Sequence, residues 1–519
     1  MKIDNPLFYA DMPDPDILRI GSDFYMVSTT MFYMPAAPVL KSKDLLHWEI
    51  VSYICTEIAD NDSYHLKNGR QAYGQGQWAT SLLYDNGRFY ACFACNDMQK
   101  TYLFSTDDIE KSDWDRIELG GIYHDMSFLR WENSVYLVYG NGEIRIVEWK
   151  KDFTGLVEQS DRLLFSTPKE NILLRCEGCR AYVKDGWIYL LFIEWPADTE
   201  EKRGRRREVC YRSRNLMGPY ECKILLDDDL WLPGSGIAQG VLFDDTCGSW
   251  YAMMFQDSRA VGRVLFLMPV KWEEGWPVIG VEGKVPESIE VSLAETMTEE
   301  ILQSDSFNHS ENTLKKVWQW NHAPDDSAWS FTERPGYLRL KNRNMAKDLL
   351  RARNTLTQRT RAPYCGFTVN LSCEGMKDGD YAGLCVLSER YGQIGVRQRN
   401  GERHIVMRRR DGEKAPYELI RSDKLNALEK WYCIKENEMP LRSESVWLRI
   451  LFHYDSWGSE RETAEFFYST DGEQFCRLGK ELELFYSLSL FVGARIGIFS
   501  YNEEQVNGGV SDFRDFTVM

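Results

Sequence analysis

The chain has 519 residues, 43% hydrophobic and 27% charged, with a formal net charge of −17 at pH 7. That length allows roughly two to four ordinary domains. The acidity excludes phosphate backbones and anionic lipid surfaces as general partners, because they carry the same sign, but it is compatible with a neutral oligosaccharide.

The N-terminus reads MKIDNPLFYADMPDPD and lacks the apolar core of a secretory signal. No apolar run reaches the ~18 residues of a membrane span. The 13 cysteines are odd in number and form no spaced framework. These features predict a cytoplasmic protein with reduced thiols, acting on a substrate small enough to be imported. Aromatic residues reach 13%, with 17 Trp and 27 Tyr. Their flat faces suit sugar rings, and they equally fill β-protein cores.

Five segments then share one plan: a short apolar strand, a polar turn, and a strand with a shared Tyr. They read DILRIGSDFYMVST from Asp16, SLLYDNGRFYACF from Ser81, SFLRWENSVYLVYG from Ser127, AYVKDGWIYLLF from Ala181 and VLFDDTCGSWYAMMF from Val241. The turns Asn86-Gly87 and Asp185-Gly186 are strong hairpin signals. The shared residues Tyr25, Tyr90, Tyr136, Tyr189 and Tyr251 stand 46 to 65 residues apart. That spacing matches the ~40–50-residue period of propeller blades with loop insertions. The first half is therefore predicted to be a five-bladed β-propeller, whose radial closure protects its strand edges.

Counting back eleven or twelve residues from each shared Tyr reaches the start of its hairpin. Asp14, Trp78, Asp125, Glu177 and Gln239 stand there. If these positions converge on the propeller axis, three carboxylates, an indole and an amide meet. Glycosidic cleavage needs an acid for the leaving oxygen and a second carboxylate to activate water or attack the sugar. Crowded carboxylates push one pKa upward, which keeps an acid protonated near neutral pH. Asp16 competes with Asp14, but its offset from Tyr25 does not match that of Asp125. The lone Cys176-x-x-Cys179 lacks a partner pair at zinc spacing.

Residues 285–310 are acidic and lack the blade plan. Beyond them, YLRL, GFTVNLS, VWLRILFHY, AEFFYSTDGEQFCRL and ARIGIFSY read as short strands with turn signals such as Asp471-Gly472. The predicted organisation is all-β: a catalytic propeller over 1–295, a linker over 296–310 and a β-sandwich of lectin-like jelly-roll type over 311–519. Arg408-Arg409-Arg410 reads as a solvated strand end.

The segments NPLFYADMPDPDILRIGSDFYMVSTT, SKDLLHWE, QWATSLLYDNGRFYACF, HDMSFLRWENSVYLVYG, CEGCRAYVKDGWIYLLFIEW and FQDSRAVGRVLFLMPVKWEEGWPVIG resemble, in order, glycoside hydrolase family 43. VWQWNHAPDDSAWSFTERPGYLRL and GMKDGDYAGLCVL resemble the β-sandwich that often follows its propeller. The resemblance implies an inverting enzyme in which Asp14 is the general base, Glu177 the general acid, and Asp125 the residue that tunes and orients the acid. It further implies that Arg263 binds substrate and that Phe32 and Trp78 line the pocket; Gln239 is counted with them as a substrate-binding residue. No organic cofactor is implied. An axial calcium ion near Gln239 is left open, because Ala238 stands where many members carry a His that helps to hold it. Cys179-Arg180 stands where relatives often have Pro-His, a change expected to alter the pocket wall.

The expected substrate is a small plant cell-wall oligosaccharide that loses terminal pentoses. An α-L-arabinofuranosidase is preferred to a β-D-xylosidase on those two departures. A retaining fructan hydrolase is disfavoured, because its Trp-Met-Asn-Asp-Pro opening is absent. A non-catalytic sugar-binding propeller is the alternative of another class. Oligomeric state is not legible.

Overall fold

The computed structural model describes residues 1–199, 203–230, 232–412, 432–454 and 461–519. Its described helices are three short 3₁₀ turns, Arg259–Val261, Asp326–Ala328 and Leu349–Arg351. None is long and apolar enough to cross a membrane.

The first half forms five four-stranded antiparallel sheets in chain order, the expected propeller. The innermost strands of blades 1 to 5 are Asp16–Ile20, Thr80–Asp85, Ser127–Trp131, Ile172–Lys184 and Ile237–Asp244. Asn86 and Gly87 have φ of 49° and 85°, and Asp185 and Gly186 have 51° and 72°. Both dipeptides thus adopt the left-handed backbone that a two-residue hairpin turn requires. The shared tyrosines recur because several pack across blade boundaries. Tyr25 meets Phe89 at 6.2 Å, Tyr90 stacks on Phe153 at 4.0 Å, and Tyr189 meets Trp272 at 5.1 Å.

A ring of hydrogen bonds joins the inner strands. Leu82 N donates to Asp16 Oδ2 at 2.8 Å, Phe128 N to Ser81 Oγ at 3.1 Å, Ala181 N to Ser127 Oγ at 3.0 Å, and Leu242 N to Tyr182 OH at 2.5 Å. Arg19 closes the circle from blade 1 to Asp244 of blade 5. Asp16 therefore does the work that Ser81 and Ser127 do in the next blades, as an inter-blade staple. The strand Lys2–Asp4 pairs with Ser288–Glu290, tying the N-terminus to the end of the propeller.

The second half forms two packed antiparallel sheets, the expected sandwich. One of them ends on a strand borrowed from the propeller: Tyr33–Met34 pairs with Gln319–Asn321. The sandwich also begins inside the stretch expected as linker. Asp305 exchanges backbone hydrogen bonds with Phe516, and its carboxylate accepts from Trp318 Nε1 at 3.0 Å. Upstream, Thr296 N donates to the buried Asp44 of blade 1 at 2.7 Å, so the connector is packed against the propeller.

The arginine run does not end a strand in solvent. Arg408 and Arg410 are buried within the strand Glu402–Gly412. Arg408 donates to Glu436 and Glu503 at 2.6 and 2.5 Å, and Arg410 lies 4.2 Å from the Tyr432 ring centre. A strand alternates its faces, so the first and third arginines point inward together and need internal partners.

Candidate active site

The pairing register shows which residues are equivalent between blades. Leu18, Leu83, Leu129, Tyr182 and Phe243 each face the shared Tyr of their own hairpin. Four residues earlier stand Asp14, Ala79, Asp125, Gly178 and Gln239. Asp14, Asp125, Gly178 and Gln239 share a left-handed backbone, with φ of 55°, 46°, 69° and 61°. Trp78 and Glu177 therefore stand one residue further out than the count from the tyrosines implied. Blade 4 absorbs that offset through strand irregularities on either side of Glu177, where a bulge re-aims a side chain.

Asp14, Trp78, Asp125, Glu177, Gln239 and Arg263 line one concave cavity at this end of the propeller. Distant sequence positions thus converge as the repeat predicted. Asp14 is 5% exposed. Arg263 Nη1 donates to Asp14 Oδ1 at 3.1 Å and Oδ2 at 3.3 Å. Burial opposes the Arg263 charge, but Asp14 and neighbouring groups hold its pKa above the ordinary arginine value. Arg263 N in turn donates to Asp11 Oδ1 at 2.8 Å, which fixes where the side chain starts.

Asp125 is also buried, and its Oδ2 accepts from Gly178 N at 3.0 Å. Burial pushes its pKa up. His124 pulls it down, the Glu177 charge pushes it up, and Arg180 and the Gly178 N–H pull it down. Gly178 is required here twice over. Its φ is 69°, and an added Cβ would sit 2.6 Å from the Gln239 side chain.

Glu177 is the most accessible of the three carboxylates, with a side chain 20% exposed. Its Oε2 lies 3.0 Å from His124 Nε2 and accepts from Asn141 Nδ2. An amide nitrogen only donates, so Oε2 serves as an acceptor and Oε1 is the oxygen left to carry a proton.

Several lining residues carried no sequence signal. Phe491 comes from the sandwich. Its ring lies 5.4 Å from Trp78 and 4.9 Å from the Arg263 guanidinium, and its carbonyl accepts from Arg263 Nη2 at 3.3 Å. Asp11 also anchors this loop, accepting from Gly493 N at 3.0 Å. On the blade 4–5 side, Arg206 pairs with Asp257, and both line the cavity.

Two expectations about the wall change. Phe32 does not line the cavity. It is fully buried behind it, packed on Tyr33, Tyr73 and His322 at 4.5, 4.8 and 5.0 Å. Borrowing Tyr33–Met34 as a sandwich strand draws the preceding residue into the domain joint. Cys179-Arg180 also lies off the wall, because Cys179 is buried and Arg180 points into the propeller axis. Ala238 is buried too.

By distance alone, His124, Asp125 and Glu177 could hold a metal ion, their ligand atoms lying within 4.8 Å of one another. The axial position considered for calcium is crossed by Arg180, which donates to the carbonyls of Pro15, Asp14 and Thr80.

The model of glycosyl hydrolases family 43 matches residues 3–277. The chain belongs to this family. The β-xylosidase C-terminal concanavalin A-like domain matches residues 304–519. Among similar proteins, a β-xylosidase from Formosa agariphila is 25% identical over 99% of this chain and 89% of its own. The non-reducing end α-L-arabinofuranosidase BoGH43B from Bacteroides ovatus is 26% identical over 78% of each chain. A solved bifunctional GH43-CE protein from Bacteroides eggerthii is 35% identical with a TM-score of 0.90. It matches all of this chain, which spans 63% of that protein's length. An engineered family 43 enzyme described as displaying both endo-xylanase and exo-arabinofuranosidase activity is 28% identical, with a TM-score of 0.85 and full coverage of both chains.

Proposed function

We propose that the protein is an exo-acting, inverting hydrolase of terminal pentosides in xylan- and arabinan-derived oligosaccharides, working in the cytoplasm. The observation that carries this reading is the cavity itself. Three carboxylates in three different environments meet there, and Phe491 of the sandwich joins the lining beside Trp78 and Arg263. A concave pocket to which the second domain adds a wall suits a chain end better than a chain interior.

Asp14, paired with Arg263, is the general base that takes a proton from the attacking water. Glu177 is the general acid and delivers its proton from Oε1 to the leaving oxygen, while His124 and Asn141 hold Oε2. Asp125, fixed by Gly178 N, stands beside them as the residue that orients the acid. Trp78 and Phe491 supply apolar faces for the sugar ring. Acid assistance of this kind is worth about 10²–10⁴-fold.

The first assignment is α-L-arabinofuranoside, supported by the exo-arabinofuranosidase activity ascribed to the engineered enzyme of similar fold and by the Bacteroides ovatus relative. The departures at Ala238 and Cys179-Arg180 no longer support it, since neither reaches the wall. The second reading, β-D-xyloside, is favoured by the Formosa agariphila relative, which matches nearly the whole chain. Release of nitrophenol from the aryl α-L-arabinofuranoside and the aryl β-D-xylopyranoside, measured side by side, separates them. A higher kcat/KM on the arabinoside is expected. A preference for the xyloside would replace the first assignment with the second. Silence on these and on pentose oligomers would favour a sugar-binding protein.

A further inference from the structure

We infer that the guanidinium of Arg180 is the axial cation of this propeller, built into the chain, and that the fold and its site need no divalent ion. Arg180 stands two residues before Tyr182 in blade 4, the place that Asp16, Ser81 and Ser127 hold before Leu18, Leu83 and Leu129. In those blades the residue staples one blade to the next. In blade 4 it is a long cation, and it reaches across the centre.

Its hydrogen bonds show the crossing. Nε donates to the Pro15 carbonyl at 3.2 Å, Nη2 to the carbonyls of Asp14 at 3.1 Å and Thr80 at 3.2 Å, and Nη1 to that of Cys179 at 2.8 Å. Nε also lies 3.7 Å from the Asp16 carboxylate. Pro15 and Thr80 belong to blades 1 and 2, whereas the neighbours of blade 4 are blades 3 and 5. A side chain that bonds both must pass through the axis. Arg180 is 1% exposed, and a buried charge persists only where it is paired and hydrogen-bonded.

Inward-facing carbonyls beside a carboxylate are the ligand set of a hard cation. Here a guanidinium, with five donors in a fixed fork, takes that place. The consequence reaches the site above. Arg180 holds the backbone of Asp14 directly, and its charge favours the ionised form of the buried Asp125. It is a positioning residue, acting on the carboxylates from below.

The test compares wild-type protein after exhaustive chelation with the same protein in excess calcium. Unchanged Tm and unchanged kcat/KM are expected. The thermal transition needs no substrate, so this arm stands whichever pentoside is cleaved. A fall in Tm or activity on chelation, reversed by calcium, would overturn the inference. In parallel, Arg180→Met is expected to lower Tm by about 5–10 °C and kcat/KM at least ~10-fold. Arg180→Lys should recover part of both, because charge rather than packing is what the axis needs. A methionine variant equal to wild type, or a lysine variant no better than methionine, would also overturn it. If Arg180→Met fails to fold, the chelation arm and the lysine variant still decide.

Discussion

Arg263 donates from one guanidinium nitrogen to both carboxylate oxygens of Asp14, at 3.1 and 3.3 Å. This pair sits at the centre of the site. Asp11 fixes the Arg263 backbone with one carboxylate oxygen and the sandwich loop with the other. Asp14, its partner arginine and the contact with the sandwich loop are thereby set by one short N-terminal segment.

Arg263→Met leaves Asp14 buried without its cation. Losing one partner of a buried pair costs about 3–5 kcal/mol. The expected result is a fall in kcat/KM of at least ~100-fold together with a lowered Tm. Steady-state kinetics and a thermal melt check both, and near-wild-type turnover would remove Arg263 from the machinery.

Glu177→Gln removes the transferable proton but keeps the shape and the contacts of Oε2. Turnover of substrates with poor leaving groups is expected to fall by about 10²–10⁴-fold. Aryl glycosides whose leaving group needs no proton should be far less affected. A uniform loss across leaving groups would contradict the role of general acid, and unchanged turnover would remove Glu177 from the chemistry.

Phe491→Ala opens the pocket on the sandwich side. It is expected to raise KM several-fold for short substrates and to lower Tm modestly, because the partly buried ring packs against a core cluster as well as lining the cavity. Kinetics on aryl pentosides and on pentose oligomers check it. An unaltered KM would show that the sandwich does not contribute to binding.

Glu208 provides a pH test of the propeller. It is fully buried, its Oε2 accepts from Gln239 N at 2.8 Å, and its Oε1 has no partner among the described residues. Burial pushes its pKa from 4.5 up to about 8. The folded state thus binds the proton more tightly than the unfolded chain. The associated stability is fully present below the unfolded value and is lost as pH rises toward the folded one, at about 1.4 kcal/mol per pH unit. Glu208→Gln carries no titrating proton. It is expected to melt several degrees above wild type at pH 8, with the difference shrinking toward pH 5. A variant less stable than wild type at pH 8 would contradict this.

The propeller was legible because its cause is periodic. Each hairpin repeats a Tyr, three of which pack toward the next blade, and Asn-Gly and Asp-Gly turns mark two of the hairpins. Asp14, Asp125 and Gln239 were legible for the same reason, as equivalent residues of three blades. The one-residue offset of Glu177 was hidden, because a bulge changes where a side chain points without changing the spacing of the tyrosines. Phe491 was hidden because the sandwich loop meets the site only in three dimensions. Phe32 was misplaced, and Arg408 and Arg410 were read as solvated, because burial depends on which strand a partner domain lends or covers. Arg180 looked like a wall residue, and only its bonds to blades 1 and 2 place it on the axis.

The most direct test of the central claim is proton NMR of the first-formed sugar during hydrolysis of an aryl pentoside, recorded before mutarotation mixes the anomers. Water activated by Asp14 opposite the proton donor Glu177 predicts a product whose anomeric configuration is inverted relative to the substrate. A product that appears first with retained configuration would contradict the account, because one of these carboxylates would then have to attack the sugar itself.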